Sequence, residues 1–329
     1  MAKYAARGPR IPQDRPHPML LSRFRLLRPL TRGAVLVSIT LAAFAQAQRT
    51  EVPAAPEPPT WQDTMSPWLG SAGRPGNDER KQPFRIFDNV YYVGLHWVSA
   101  YLITTSDGLV LIDATYGDTV DQVVTNIRQL GFDPADIRYV IVSHGHRDHY
   151  AGAGEIVRLS GAQVVLSAHD WGLVEEQQAS GLARSGLPLK RDIEARDNQT
   201  LRVGDTTFRF YLSPGHTAGS LSLQYTARDG DKTYRVLHPG GLGFNFGPDR
   251  TAAYVKSHER LKQLGPWDSV LANHPHMGAR DLLLLETPLR ERAPGDPHPA
   301  NLGAAATNAW FDQILTSARD KLSFESPKQ

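Results

Sequence analysis

From residue 143 to residue 150 the chain reads S-H-G-H-R-D-H-Y. His144, His146, Asp148 and His149 thus place four potential metal ligands within six residues. Packing gives no reason for such a cluster. The chain has no cysteine, so neither disulfides nor thiolate ligands are available. Zinc held here must use imidazole and carboxylate, the ligand set of catalytic rather than structural sites.

A binuclear site needs about six ligands. His216 in P-G-H-T-A-G-S and His274 in N-H-P are the best further candidates, because each follows an apolar strand pattern. The remaining histidines divide. His96, beside Trp97, reads equally as a pocket residue or an ordinary loop residue. His238, in H-P-G-G, ends a strand pattern and could reach the site. His276 is a decoy two residues after His274, and His169 at a helix start is structural. His258 and His298 are expected to be solvated. Two zinc ions lower the pKa of a shared water and polarise a carbonyl. Asp148 would bind one of them and orient or deprotonate the attacking water. A serine hydrolase is disfavoured: Ser220 follows Gly219 but lacks the G-x-S-x-G elbow.

The elements that must position these groups follow from periodicity. Strand patterns span residues 84–87, 90–93, 98–104, 109–113 and 138–143, with a helix over 118–130 that Gly131 stops. The cluster then sits at a strand's carboxyl end, with a helix over 151–159, where α/β proteins place chemistry. A strand at 162–167, a helix at 169–178 and a polar surface loop at 179–192 come next. Four strands (200–203, 206–212, 220–226, 233–237), a helix at 251–264, a short strand at 269–272, a helix around 282–285 and a closing helix at 301–322 complete the chain. Strands followed by helix, strand and helix occur twice. The expected fold class is α/β, a four-layer αββα sandwich.

The N-terminal region differs in composition. Residues 1–47 hold eight Lys/Arg and one acid, then an apolar run over 33–45 that ends in A-Q-A. This predicts a secretory signal with a basic leader, and export to the periplasm or beyond. The run is too short to span a membrane. Residues 48–82 read as linker and arm, and residues 83–329 as the catalytic domain. The formal charge of +2 misleads: without the first 47 residues, 28 basic and 33 acidic residues leave −5. No nucleic-acid partner is expected. The expected partner is a small-molecule substrate, and the expected state a monomer.

H-x-H-x-D-H, then P-G-H-T-x-G-S, then a late H-P together resemble the metallo-β-lactamase superfamily. The pattern over residues 89–113, with Y-Y-V-G and S-A-Y-L-I, resembles the third subclass of class B enzymes. The resemblance implies a first zinc on His144, His146 and His216 and a second on Asp148, His149 and His274. It also implies a bridging hydroxide and hydrolysis of a β-lactam amide. Residues 171–192 would wall one side of the substrate groove, and the arm at 61–68 another. Candidate substrate contacts are His96, Trp97, Tyr150 on the pocket floor, His238 and Gly241. The chain also departs from the subclass. Pro239 and Gly241 stand where serines help hold the substrate carboxylate, and the metal-bridging Asp common in the wider superfamily is missing. Arg184, Lys190 or Arg191 could substitute for the serines. The alternatives are a hydrolase of the same fold acting on a lactone, thioester or phosphoester, and a non-catalytic zinc-binding periplasmic protein.

Overall fold

The computed structural model describes residues 80–181, 186–244 and 247–326. The expected signal (1–47), the arm around 61–68 and Arg184 lie outside the described residues. By contacts the chain divides into Met1–Ala55, also outside them, and Pro56–Gln329, to which everything below refers.

Apolar alternation builds the first sheet. β1 (Phe84–Phe87), β2 (Val90–Tyr92), β3 (Tyr101–Thr105) and β4 (Gly108–Ile112) form an antiparallel meander. β5 (Ile137–Ile141), β6 (Gln163–Ser167) and β7 (Ile193–Ala195) then add in parallel, in sequence order. Parallel addition needs crossovers. α1 (Val120–Gln129) supplies the first, and its buried Val120, Val123, Val124 and Ile127 fall at helical spacing. Gly131 ends that segment at φ 85°, a left-handed conformation that costs glycine little. The short α2 (Arg147–Tyr150), α3 (Ala153–Ser160) and α4 (Ala168–Ala179) follow β5 and β6.

The second sheet runs β12 (Ser269–Val270), β11 (Lys232–His238), β10 (Leu221–Asp229), β9 (Thr206–Leu212), β8 (Thr200–Val203). Only β11 and β12 are parallel, joined through α5 (Pro248–Gln263). The short α6 (Glu286–Glu291) and the long α7 (Gly303–Glu325) close the chain.

Residue parity sets the layers, because neighbours along a strand face opposite sides. Val110 and Ile112 of β4 and Ile141 of β5 join Phe208, Phe210, Leu223 and Val236 in the core between the sheets. Leu109, Leu111, Val140 and Val142 point the other way, onto α1, α3 and α4. On the far side Tyr211, Leu237 and Val270 pack against Leu261 of α5 and Trp310, Phe311 and Ile314 of α7. The layers are therefore helix, sheet, sheet, helix, as expected.

Hydrogen bonds join the two sheets at one rim. Leu221 N–H donates to Ser143 O (2.8 Å), Ser99 N–H to Asn273 O (3.0 Å), and Tyr101 O–H to Ala272 O (2.6 Å). The carboxyl ends of β4, β5, β9, β11 and β12 meet at this rim. Asp113, the 143–149 cluster, His216, His238 and His274 all follow or end those strands.

Two expectations need correction. His258 is buried, not solvated: it lies on α5 with its ring stacked 3.8 Å from that of Tyr254. His298 is also buried, stacked 4.1 Å from the Phe87 ring. Their imidazoles serve as flat aromatic packing, which sequence context does not reveal. β7 was not expected. Three residues leave no readable period, and the strand exists through pairing with β6.

Candidate metal centre

His144, His146 and His216 converge from two loops. His144 Nε2 lies 3.1 Å from His146 Nδ1, and His216 Nε2 lies 3.1 Å and 3.0 Å from those two atoms. Three nitrogens around one zinc at about 2.0–2.1 Å stand roughly 3.3 Å apart, so this spacing suits one shared ion. Asp148, His149 and His274 form a second group. Asp148 Oδ2 lies 3.2 Å from His149 Nε2 and 3.7 Å from His274 Nε2. Within each group the ligand atoms fall within 4.8 Å of one another.

A neutral imidazole carries one ring N–H, so the partner of one nitrogen decides what the other presents. His216 Nδ1 is 3.0 Å from Gly243 O and His274 Nδ1 is 2.9 Å from Trp97 O. Both donate to those carbonyls, and each Nε2 turns a lone pair into the site. His144 Nδ1 lies 3.1 Å from Ser143 Oγ, whose own proton goes to Asp113 Oδ2 at 2.8 Å. His149 Nδ1 also meets Asp113 Oδ2, at 2.8 Å. Carboxylates behind ligating histidines fix ring orientation and raise basicity.

The electrostatics suit a cation. Burial, then neighbouring histidines, holds His144 well below its ordinary pKa. Burial likewise lowers His146 to about 4, His274 to about 3, and His216 well below normal. These imidazoles are neutral at pH 7, as metal ligands must be. Burial would raise Asp148, yet His149, His274 and His146 together hold its carboxyl far below the usual range. Burial also opposes charge on His149, but Asp148 and Asp113 outweigh it and lift the pKa to about 10. The two carboxylates favour positive charge at that point, whether a proton or a metal ion. The donor set therefore fits a metal at both groups.

Two residues that sequence reasoning missed hold the frame. Asp113, fully buried, accepts from Ser143 N–H (2.7 Å), Ser143 O–H and His149. Its φ is +58° and that of Thr115 is +59°, a strained region for non-glycine residues. Asp113 N–H to Ile141 O (3.0 Å) and Ala114 N–H to His149 O (2.9 Å) hold the bend. An aspartate ending an apolar strand was the available signal. Asp170 of α4 accepts from Gly145 N–H (2.8 Å), Thr217 O–H (2.7 Å) and Gly219 N–H (3.0 Å). It ties both ligand loops to one helix, and nothing in its sequence context marks it.

The expected substrate contacts separate. His96 is exposed and Trp97 half-buried, its ring 4.2 Å from that of His276. Tyr150 is buried in the core under α1 and α3. His238 is fully buried with its ring 5.6 Å from that of Tyr101, and burial lowers it to about 4. Gly241 is buried too: a Cβ there would come within 2.7 Å of the His216 side chain. None of the last three faces open solvent. His169, expected to be structural, is exposed. Arg191 forks onto Glu175 at 2.9 and 2.8 Å and also pairs with Glu194, so its guanidinium is engaged on the surface. Lys190 is exposed. A cleft of about 650 Å³ between α1 and α3 contains none of the six candidate ligands. A smaller one, about 250 Å³, opens beside His146.

Residues 94–231 match the family model of the metallo-beta-lactamase superfamily. That stretch is a metallo-beta-lactamase domain by the family model, and the fold is the metallo-β-lactamase fold of the solved neighbours. Its solved neighbours are subclass B3 metallo-beta-lactamases. BJP-1 of Bradyrhizobium japonicum is 26% identical, with 75% of this chain and 96% of that one covered and a TM-score of 0.65. FEZ-1 of Legionella gormanii is 25% identical, covering 76% and 99%, at 0.68. Among curated relatives, the N-acyl homoserine lactonase AttM of Rhizobium johnstonii is 29% identical over 156 residues, 38% of this chain and 58% of that protein. The chain spans about half the length of the curated relatives it matches first.

Proposed function

We propose that the protein is an exported di-zinc hydrolase that opens the β-lactam amide of penicillins, cephalosporins or carbapenems. The observation that carries this reading is the pair of convergent ligand groups, in a fold shared over nearly the whole length of subclass B3 enzymes. His144, His146 and His216 would hold one zinc, and Asp148, His149 and His274 the other. When bound, the two ions supply a nucleophile at neutral pH and polarise the amide carbonyl.

The chain's own residues do the rest. Asp148, held ionised, accepts a hydrogen bond from the attacking water and aims it at the carbonyl carbon. Asp113 keeps His149 turned into the site through Nδ1. Asp170 fixes the spacing of the two ligand loops, so the attack geometry is set before substrate arrives. Trp97 and His276 form an aromatic wall beside His274 that shields one side from water. In this reading residues 1–47 are a signal removed on export and the catalytic domain begins near residue 83. No helix among the described residues is long and apolar enough to cross a membrane.

A second reading, hydrolysis of a lactone, is favoured by the match to AttM and by Pro239 and Gly241 in place of the expected serines. Turnover of a penicillin, a carbapenem and a homoserine lactone by zinc-loaded protein, with and without chelator, separates the two. Chelator-sensitive β-lactam turnover is expected. No turnover of either β-lactam would sink the first reading, and faster lactone hydrolysis would establish the second.

A further inference from the structure

The loop between β2 and β3 is narrow and reaches the second metal group through a carbonyl. Val93 N–H donates to Ala100 O at 2.9 Å and Leu95 N–H to Val98 O at 2.8 Å. Tyr92 O–H donates to Leu95 O, and a Cβ on Gly94 would come within 2.6 Å of Val98 O. Near the tip, Trp97 O accepts the Nδ1 proton of His274 at 2.9 Å. The direction of the His274 Nε2 lone pair therefore depends on where this loop lies.

Behind the loop, Asn126 of α1 is fully buried. Its amide nitrogen donates to Val93 O and Lys81 O, both at 3.0 Å, and lies 3.5 Å from Gly94 O. Its oxygen accepts from Gln122 Nε2, one helical turn earlier, at 2.6 Å. Gln122 Oε1 in turn accepts from Arg80 Nη1 at 2.8 Å. The order of donors is fixed from the outer end. A guanidinium can only donate, so Gln122 offers it oxygen and turns nitrogen to Asn126, whose own nitrogen is left for the carbonyls. Val93 and Gly94 are buried, so losing this donor is costly and favours a shift of the loop toward another one. Lys81 is held a second time, by pairing with Glu286 of α6.

We propose that Asn126 is a positioning residue for the second metal group: by holding Val93 and Gly94 it fixes the Trp97 carbonyl against His274 Nδ1. The inference rests on the two-metal reading above. It gives that centre a support on a helix that contributes no candidate ligand, and it couples His274 to the chain entering at Arg80–Lys81.

The test compares full-length wild type with Asn126→Leu, a side chain of similar volume without donors. Zinc titration against a competing chelator is expected to show one of two binding steps weakened about tenfold and the other unchanged. His274→Ala identifies the weakened step as that of the second group. In the His274→Ala background Asn126→Leu should make no further difference, as when one residue acts through another. By proton NMR the His274 Nδ1–H signal, identified by its loss in His274→Ala, should exchange with water faster in Asn126→Leu. Gln122→Met, one step further out in the relay, should move both readings the same way by less. It serves should the Leu variant disturb the fold, with thermal melting as the control. Equal weakening of both steps, unchanged readings in a folded variant, or a full loss in the His274→Ala background would overturn the assignment. A wild type that binds a single zinc counts against the two-metal reading alone, and the ring-proton comparison still decides whether Asn126 orients His274.

Discussion

Asp113 shows how much of the centre depends on a residue that is not itself a candidate ligand. It accepts from His149 and from the serine that positions His144, so it is coupled to both metal groups. Asp113→Asn keeps the shape and removes the charge. Zinc affinity is expected to fall about 10- to 100-fold, measured by titration against a competing chelator. An unchanged affinity would show that Asp113 serves the backbone bend alone. Gly241→Ala acts from the other side. Its methyl would meet His216 within 2.7 Å and push that imidazole off the first group. Zinc stoichiometry by elemental analysis should drop from two to one per chain. At this scale the sequence was readable where chemistry is unusual. Four candidate ligands in six residues announce themselves, and a histidine after each of two strands joins them in the two convergent groups. Asp113 and Asp170 stayed hidden because an isolated aspartate looks the same whether it orients a ligand or faces water.

Elements were readable where their period was long. α1 and α7 and the strands of both sheets fall within a few residues of their apolar patterns, because one face of each must bury. β7 and the histidines of α5 and the 291–299 loop were not, since pairing and stacking partners lie far off in sequence. His258 carries a measurable consequence. Burial lowers it to about 4, with the Tyr254 backbone pulling weakly upward. In the unfolded chain it would titrate near 6.5. Between those values the unfolded chain takes a proton that the folded one refuses, so stability is lost as pH falls through this window. The contribution is on the order of 3 kcal/mol. His258→Gln should flatten the stability–pH curve between pH 6.5 and 4 by about one proton's worth, measured by urea unfolding. The other buried histidines will keep part of the slope. An identical slope in the variant would rule out His258 as a contributor.

For the molecule as a whole, the layered architecture was legible from the repeated order of elements, whereas the junction of the sheets was not. Four neutral imidazoles facing inward leave folding dependent on what they bind. A metal that binds only the folded chain stabilises it by about 2.7 kcal/mol at a hundredfold excess over its dissociation constant. For a domain of this size, calorimetric melting with zinc should exceed melting in chelator by several degrees. Equal melting temperatures would mean that neither group holds zinc tightly.

The bond from Leu221 N–H to Ser143 O has a kinetic side. It joins residues 78 positions apart, and no helix or hairpin can form it early. It closes only when the two sheets have met, and it opens only when they part. The Leu221 amide is therefore a clock for assembly. In hydrogen exchange it should be among the last protons to leave and, during refolding, among the last to gain protection. A candidate centre whose residues come from both sheets is complete only at that closing step, so partly folded chains would hold no assembled centre.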